Sequence, residues 1–331
     1  MHAPDGFLTL PAAVGTGLIS AGAVGAALRQ SREQLGEQQV PLAGLTAAFV
    51  FAAQMVNFPV AAGTTGHLLG GALAAVLLGP WVGMLVVTVV VVVQALVFAD
   101  GGLSALGYNV LNMAVVTSLG GWGVFRLGRR LLPATRTGVA VAAGVAGFAA
   151  VVLSAVAFSL QWLVGASAPV PFDRVFVAMV GVHLLIGVGE GVITGLTVAA
   201  VLRTRADLVA GASDLRVGAA AGPGLRRFVL GGVAVSLLVA AGVAQFAVDD
   251  PDGLERVAED TGFAAAEREH ALANSIFADY ATAGVANEST SLAVAGIAGT
   301  VLTLAIGGGL FSAVRGRAPG AGRPRRHPVG G

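Results

Sequence analysis

The chain of 331 residues predicts an all-α integral membrane protein with about nine transmembrane segments. Three observations carry that prediction. Apolar residues make up 56% of the chain and charged residues 11%, whereas a soluble domain carries roughly 25% charged residues. Apolar runs long enough to cross a bilayer recur between Leu8 and Val314. The apolar–polar alternation of a membrane barrel strand is absent. Helices, which satisfy backbone polar groups within one segment, are therefore expected.

Composition also excludes chemistry. With no cysteine there is no disulfide, thiolate metal site or thiol redox centre. All 19 basic residues are arginine, and a Walker A phosphate loop needs its lysine, so the chain is not expected to hydrolyse ATP by that route. Neither an HExxH helix nor paired helical aspartates occur, so an intramembrane enzyme is not the expected class.

The apolar segments fall at residues 8–28, 42–57, 67–79, 82–99, 105–125, 137–165, 174–202, 228–248 and 290–314. Met1 to Phe7 carry no arginine. A cleaved signal peptide needs a basic start, so this one is read as retained. Gly17, Ala21 and Gly25 form a small-residue stripe that lets helices approach closely, read here as internal packing. The 67–79 segment is short for a span and follows Gly63-Thr64-Thr65-Gly66. That combination predicts non-helical backbone dipping into the membrane beside a cavity, with His67 at the start of a helix. Residues 1–203 read as a seven-segment unit and 204–225 as a cytoplasmic linker. Residues 226–314 read as two helices around an acidic outer loop, 249–289, and the tail 315–331 as disordered. No internal repeat of the secondary-transporter kind is seen.

Charge sets the expected orientation. With the N-terminus extracellular and nine crossings, 16 of 19 arginines lie inside and the C-terminus is cytoplasmic. Thirteen of 18 carboxylates then lie outside, ten of them between Asp249 and Glu288, which would raise the local cation concentration there.

The sharpest chemical feature is the N-terminus. Met1 precedes the large residue His2, so the methionine is expected to survive processing. Its α-amine, the His2 amide nitrogen and the His2 imidazole Nδ1 can close fused five- and six-membered rings around one cation. Planar nitrogen ligation suits Cu(II) or Ni(II) rather than Mg(II) or Ca(II). A fourth nitrogen is needed, and His67 is best placed for it. His183 and Glu190, seven apart, share one helix face and form either a functional or a structural polar pair. Gln54, Asn57, Gln94, Asn109 and Asn112 are intramembrane amides that could orient ligands or tie helices together. Asp100 precedes two glycines at a helix end, which reads equally as an outer turn or a cation path. His270 and His327 read as solvated.

Several stretches together resemble one family. Met1-His2-Ala3-Pro4-Asp5-Gly6-Phe7-Leu8, Phe51 to Val60, Gly63-Thr64-Thr65-Gly66-His67 and Gly79-Pro80-Trp81 occur in order. Gln94-Ala95-Leu96, Asp100-Gly101-Gly102, Leu106 to Met113 and His183 to Thr194 follow. They resemble the membrane substrate-capture (S) components of energy-coupling-factor transporters for nickel and cobalt, the CbiM/NikM family. Pro251-Asp252-Gly253-Leu254-Glu255 resembles the PDGLE signature of the small two-helix accessory (N) component of those transporters, here fused. The resemblance implies a seven-helix S-component bundle plus a two-helix unit. It implies a planar metal site from the Met1 amine, the His2 amide and imidazole, and the His67 imidazole, with Ni(II) favoured over Co(II) as transported ligand. Ala3 departs from the branched aliphatic residue common in relatives but would donate no side-chain ligand. The implied partners are the lipid bilayer, a transmembrane coupling (T) component and ABC-type ATPase subunits, with no nucleic acid. The alternative is a stand-alone secondary transporter or channel for a small solute or cation.

Overall fold

The computed structural model describes residues 1–61, 63–215 and 223–316. The tail beyond Gly316 and residues 216–222 of the expected linker lie outside the described residues. The chain folds as α1 (Leu10–Gln34), α2 (Gln39–Gln54), a hairpin of β1 (Phe58–Ala61) and β2 (Thr64–Gly66), α3 (Gly71–Leu78) and α4 (Pro80–Val93). Then come α5 (Leu106–Asn109), α6 (Thr117–Leu131), α7 (Arg136–Gly165), α8 (Phe172–Arg205), α9 (Leu225–Ala241), α10 (Gly253–Thr261) and α11 (Glu288–Gly316). Among the described residues, seven helical stretches are long and apolar enough to cross a membrane. The other two apolar segments are helices too short for that: α2 has 16 residues and α3 only eight. The protein is a mostly helical, multi-pass membrane bundle.

The 67–79 segment departs from expectation. His67 does not start the helix; residues 67–70 are non-helical and α3 begins only at Gly71. Gly70 sits at φ 80°, a left-handed conformation that glycine adopts without a steric penalty. Non-helical backbone at membrane depth is tolerated only where other groups take its hydrogen bonds, and here they do. The Glu190 carboxylate on α8 accepts from the amides of Leu69 (2.6 Å) and Gly70 (3.0 Å), and the Gln54 amide on α2 donates to the Leu69 carbonyl (2.9 Å). The α3–α4 turn closes on Gly79, φ 86°, followed by Pro80 at the first helical position, where its missing N–H costs nothing.

Two helices carry π-helical stretches, Gln94–Phe98 after α4 and Val110–Val116 between α5 and α6. Such wide turns re-aim side chains and concentrate at functional sites; these turn Gln94 and the neighbouring Asn109 toward the N-terminal segment. The longest helices, α7 and α8, lie close together because Gly144 meets Gly191 and Gly195 across their interface. Close approach of this kind is what holds helices together where lipid offers no hydrophobic drive. The small-residue stripe of α1 is used in part: Gly17 abuts Gly107, and Ser20 donates to the Gly107 carbonyl (2.7 Å), while among the described residues nothing lies against Gly25.

The PDGLE-bearing part packs directly on the first seven segments. α11 runs along α2, with Gly44 against Gly308, and α9 packs against both α2 and α11, with Gly296 against Ala240. The loop between α9 and α11 folds back over the site through α10. Half of the expected linker is structured: Val209 and Ala212 in the turns after α8 are buried, and Gly211 sits against Phe125. Short ion pairs, Arg129–Asp214 and Arg315–Glu37 (both 2.7 Å), gather at the bundle end opposite the N-terminus.

Candidate functional site

The first eight residues form a buried plug rather than a free end. Met1, Ala3, Phe7 and Leu8 are all buried. Asn109 clamps residue 3 from both sides: its carbonyl accepts from the Ala3 amide and its NH2 donates to the Ala3 carbonyl, each at 2.9 Å. The Gly102 amide adds a second bond to that carbonyl (3.0 Å). Asp5 accepts from the Ser104 amide (2.6 Å), the Ser104 hydroxyl (2.5 Å) and the Leu103 amide (3.1 Å), and the Tyr108 hydroxyl donates to the Pro4 carbonyl (3.0 Å). Gly6 turns the chain at φ 100°, and the Phe7 ring meets Phe263 edge-on. The sequence places a chelating end on the chain, and tertiary packing fixes where that end goes.

It goes to His67. The Met1 nitrogen lies 3.0 Å from His67 Nε2, in a pocket closed by His183, Ile186 and Gly253. His67 Nδ1 faces its neighbour's carbonyl, Leu68 O, at 3.0 Å. A carbonyl only accepts, so Nδ1 holds the ring proton and Nε2 presents its lone pair toward Met1. The His2 ring stacks on His67, centroids 5.2 Å apart and 22° between planes. His2 Nε2 lies 3.0 Å from Gln94 Oε1, and Nδ1 lies 3.3 Å from Asp100 Oδ1. All three sequence-predicted site residues, Met1, His2 and His67, thus meet at one end of the bundle. His2 Nδ1, however, faces Asp100 rather than the Met1–His67 contact. Burial pushes the His2 imidazole down to about 4 against the opposing pull of Asp100, so the ring is neutral near pH 7 and fit to bind a cation.

Asp252, in the Pro-Asp-Gly-Leu-Glu stretch, is the main residue that sequence reasoning did not place at the site. One carboxylate oxygen forms an ion pair with the Met1 ammonium and lies 3.6 Å from His67 Nε2. The other caps α10, accepting from the amides of Leu254 (2.7 Å) and Glu255 (3.0 Å), while Glu255 returns a bond to the Asp252 amide (2.9 Å). This capping box is local to the chain, an Asp-x-x-Glu spacing; the pairing with Met1 spans 251 residues. Burial alone would raise the Asp252 carboxyl, but the Met1 ammonium holds it well below the usual carboxylate range. Burial and the neighbouring Asp252 charge push Glu255 up to about 7. The stretch docks on β2, whose Thr65 amide donates to the Pro251 carbonyl (3.0 Å) and whose hydroxyl donates to the Asp250 carbonyl (2.9 Å). Gly253 admits the α10 terminus because a side chain there would strike Ile186 and His183.

The remaining candidates separate by position. His183 and Glu190 do not pair: His183 Nδ1 donates to the Met179 carbonyl (2.7 Å), and Glu190 supports the backbone that carries His67. Gln54, Gln94 and Asn109 each support the site, whereas Asn112 bonds Gln161 across two helices. Asp100 is at the site, accepting from the Tyr280 hydroxyl at 2.5 Å. The void at Met1 is only about 10 Å³, scarcely one water-sized space. A chamber of about 940 Å³ opens beside it, bordered by His2, Asp100, Asp252, Glu255 and Asp279. It offers a route wide enough for a hydrated ion, and carboxylates along it attract cations.

A helical membrane bundle that buries its own amino terminus beside two imidazoles and an acidic chamber belongs to the metal-transport class. Residues 2–208 match the family described as the cobalt uptake substrate-specific transmembrane region, CbiM, and residues 226–316 match the PDGLE domain. The chain is 35% identical over 309 residues to the fused NikMN protein of Archaeoglobus fulgidus, covering 93% of this chain and 97% of that one. It is 37% identical over 222 residues to the fused nickel transport protein NikMN of Rhodobacter capsulatus, covering 63% and 64%. A crystal structure of a truncated transition metal transporter superposes with TM-score 0.54 at 32% identity, covering 61% of this chain and 99% of that one. The chain belongs to the CbiM family and carries a fused PDGLE domain.

Proposed function

We propose that the protein is the substrate-capture component of an ATP-driven energy-coupling-factor importer for a late first-row dication, with Ni(II) favoured over Co(II). The observation that carries this reading is the buried 3.0 Å approach of the Met1 amine to His67 Nε2, with His2 stacked alongside. The ligands are the Met1 amine, the His2 amide and Nδ1, and His67 Nε2. Four nitrogens in a plane favour Ni(II) or Cu(II) over cations that prefer six oxygens, and relatives with the same two-part organisation are named as nickel transport proteins.

The N-terminus is extracellular and the C-terminus cytoplasmic, the orientation the arginine bias favours. A cation enters by the acidic chamber, and loading expels protons from the Met1 ammonium and the His2 amide. His2 turns from Asp100 to bring Nδ1 into the plane, and the ion loses its water as it enters the closed pocket. Residues 1–203 act as the capture unit. Residues 226–314 hold the site shut through Asp252, and residues 204–225 join the two. A partner T component and ATPase subunits do the work of reorientation and release, since the chain lacks a lysine for a phosphate loop.

The test is calorimetric titration of the full-length protein, with no residue ahead of Met1, using Ni(II) and Co(II). One Ni(II) per chain, bound as a diamagnetic planar complex, is expected. A paramagnetic six-coordinate ion, or no saturable binding, would overturn the reading.

A further inference from the structure

We infer that Glu190 is a positioning residue for the cation: it sets the reach and electron donation of His67 through a single peptide group. The inference rests on the reading of His67 as the fourth ligand. The chain between β2 and α3 is non-helical and buried, so its backbone polar groups need partners from elsewhere. Two consecutive peptide groups are fully matched. In the Leu68–Leu69 peptide, the carbonyl accepts from His67 Nδ1 at 3.0 Å and the amide donates to Glu190 Oε2 at 2.6 Å. In the Leu69–Gly70 peptide, the carbonyl accepts from the Gln54 NH2 group at 2.9 Å and the amide donates to Glu190 Oε1 at 3.0 Å. A carbonyl only accepts, so Nδ1 is the donor to Leu68 whatever the state of Nε2. The order is thus carboxylate, peptide N–H, peptide C=O and imidazole N–H, with the opposite ring nitrogen facing Met1. The peptide is planar and rigid, so tilting its N–H end swings the Leu68 oxygen away from Nδ1 and turns the ring. Hydrogen bonds in such a chain polarise one another, so the carboxylate at one end makes the imidazole at the other a better metal ligand.

The same face of α8 holds the segment ahead of His67 as well as behind it. His183, Ile186 and Glu190 are buried on that face, at spacings that stack along a helix. Ile186 lies against Gly66, where a Cβ would come within 2.6 Å of its methyl group. Behind the histidine, consecutive amides leading into a left-handed glycine make a concavity suited to an anion, and the Glu190 side chain fills it. Glu190 is fully buried, and those two amides are its hydrogen-bond partners. The side chain reaches no cation site itself; it acts on the cation only through the peptide that anchors His67.

The experiment is a double-mutant cycle in the full-length protein: Glu190→Gln, His67→Ala and the two together. Each is titrated with Ni(II) and with Cu(II), whose greater intrinsic affinity keeps the weakened variants measurable. Glutamine matches glutamate in size but has one accepting oxygen, so one of the two amides must face an NH2 group. With His67 present, Glu190→Gln is expected to weaken both ions about ten- to a hundredfold, as on loss of an outer ligand partner. With His67 already alanine, the same substitution should change affinity by no more than about twofold. A residue that merely supports the fold would lower affinity by the same factor in both backgrounds. Glu190→Asp keeps two accepting oxygens on an arm one carbon shorter, and it provides the same cycle, with the same coupling expected, where the glutamine variant does not fold. Equal losses with and without His67, or full affinity in Glu190→Gln, would overturn the proposal. Wild-type affinity in His67→Ala alone would remove the four-nitrogen reading and this inference with it, so the two failures are distinguishable.

Discussion

Asp252→Asn separates two roles of one carboxylate. The substitution keeps the side-chain shape and leaves an oxygen to cap the Leu254 and Glu255 amides, but it removes the negative charge beside Met1. An acidic group near a cation site is usually taken to strengthen binding, and charge counting argues otherwise here. Before loading, the site carries one positive charge on the Met1 ammonium. After loading, a dication that has displaced the amide proton also leaves a net single positive charge. The long-range attraction of Asp252 is therefore nearly the same in both states and cancels. What does not cancel is the direct ammonium–carboxylate contact, which loading must break. The asparagine oxygen caps α10 and its NH2 cannot accept from the ammonium, so a charge-assisted hydrogen bond of about 1.5–3 kcal/mol is lost outright. The lower end of that range, on the order of 1.4 kcal/mol, is about tenfold in affinity. Asp252→Asn should thus bind Ni(II) about tenfold more tightly near neutral pH, with the gain shrinking as pH rises. Leaving the buried ammonium without its partner should at the same time lower the melting temperature of the empty protein and spare the nickel-loaded one. Calorimetry and thermal melting with and without Ni(II) measure both effects. A tenfold loss of affinity would refute the reasoning and make Asp252 a ligand or a net attractor.

Three further outcomes follow from the same geometry. His67→Ala should weaken nickel binding by more than about a hundredfold, beyond the loss expected from an outer partner, whereas His183→Ala, which removes a wall of the pocket, should cost much less; equal losses by calorimetry would mean the fourth ligand is misplaced. Because the His2 ring is neutral down to about pH 4, loading near neutrality should release about two protons, from the ammonium and the amide; titrations in buffers of different ionisation enthalpy count them, and three would show that His2 was charged. Glu255, raised to about 7 in the folded protein, binds its proton more tightly there than when unfolded. Its contribution is therefore greatest at low pH and declines as pH rises from about 4.5 to about 7. Thermal melting across that window should show the decline, and Glu255→Gln should flatten it.

The long helices were legible because apolar runs of the right length admit few other structures in a bilayer. Met1 and His2 were legible because the chelate they can form is local. What was not legible depends on partners far apart in sequence. His67 was placed at a helix start because hydropathy from 67 to 79 is continuous; the helix begins at Gly71 because Glu190, more than a hundred residues later, takes the amides of Leu69 and Gly70. The seven-residue spacing of His183 and Glu190 suggested a pair, but each side chain turns to a different backbone group. Asp252 caps the helix it begins, a local role; only folding brings its second oxygen to the amino terminus. Nothing in the sequence marked Tyr280, whose position rests on two left-handed residues with no glycine to announce them.

The central claim, that the chain's own first nitrogen grips the cation, is tested most directly by acetylating the Met1 amine and titrating the purified full-length protein with Ni(II). The acetyl group takes the amine out of the fused chelate rings without supplying a new amine, and it leaves the His2 and His67 rings in the chain. The account predicts intact helices, by circular dichroism and melting, with high-affinity nickel binding abolished. Binding of wild-type strength by the acetylated protein would contradict it.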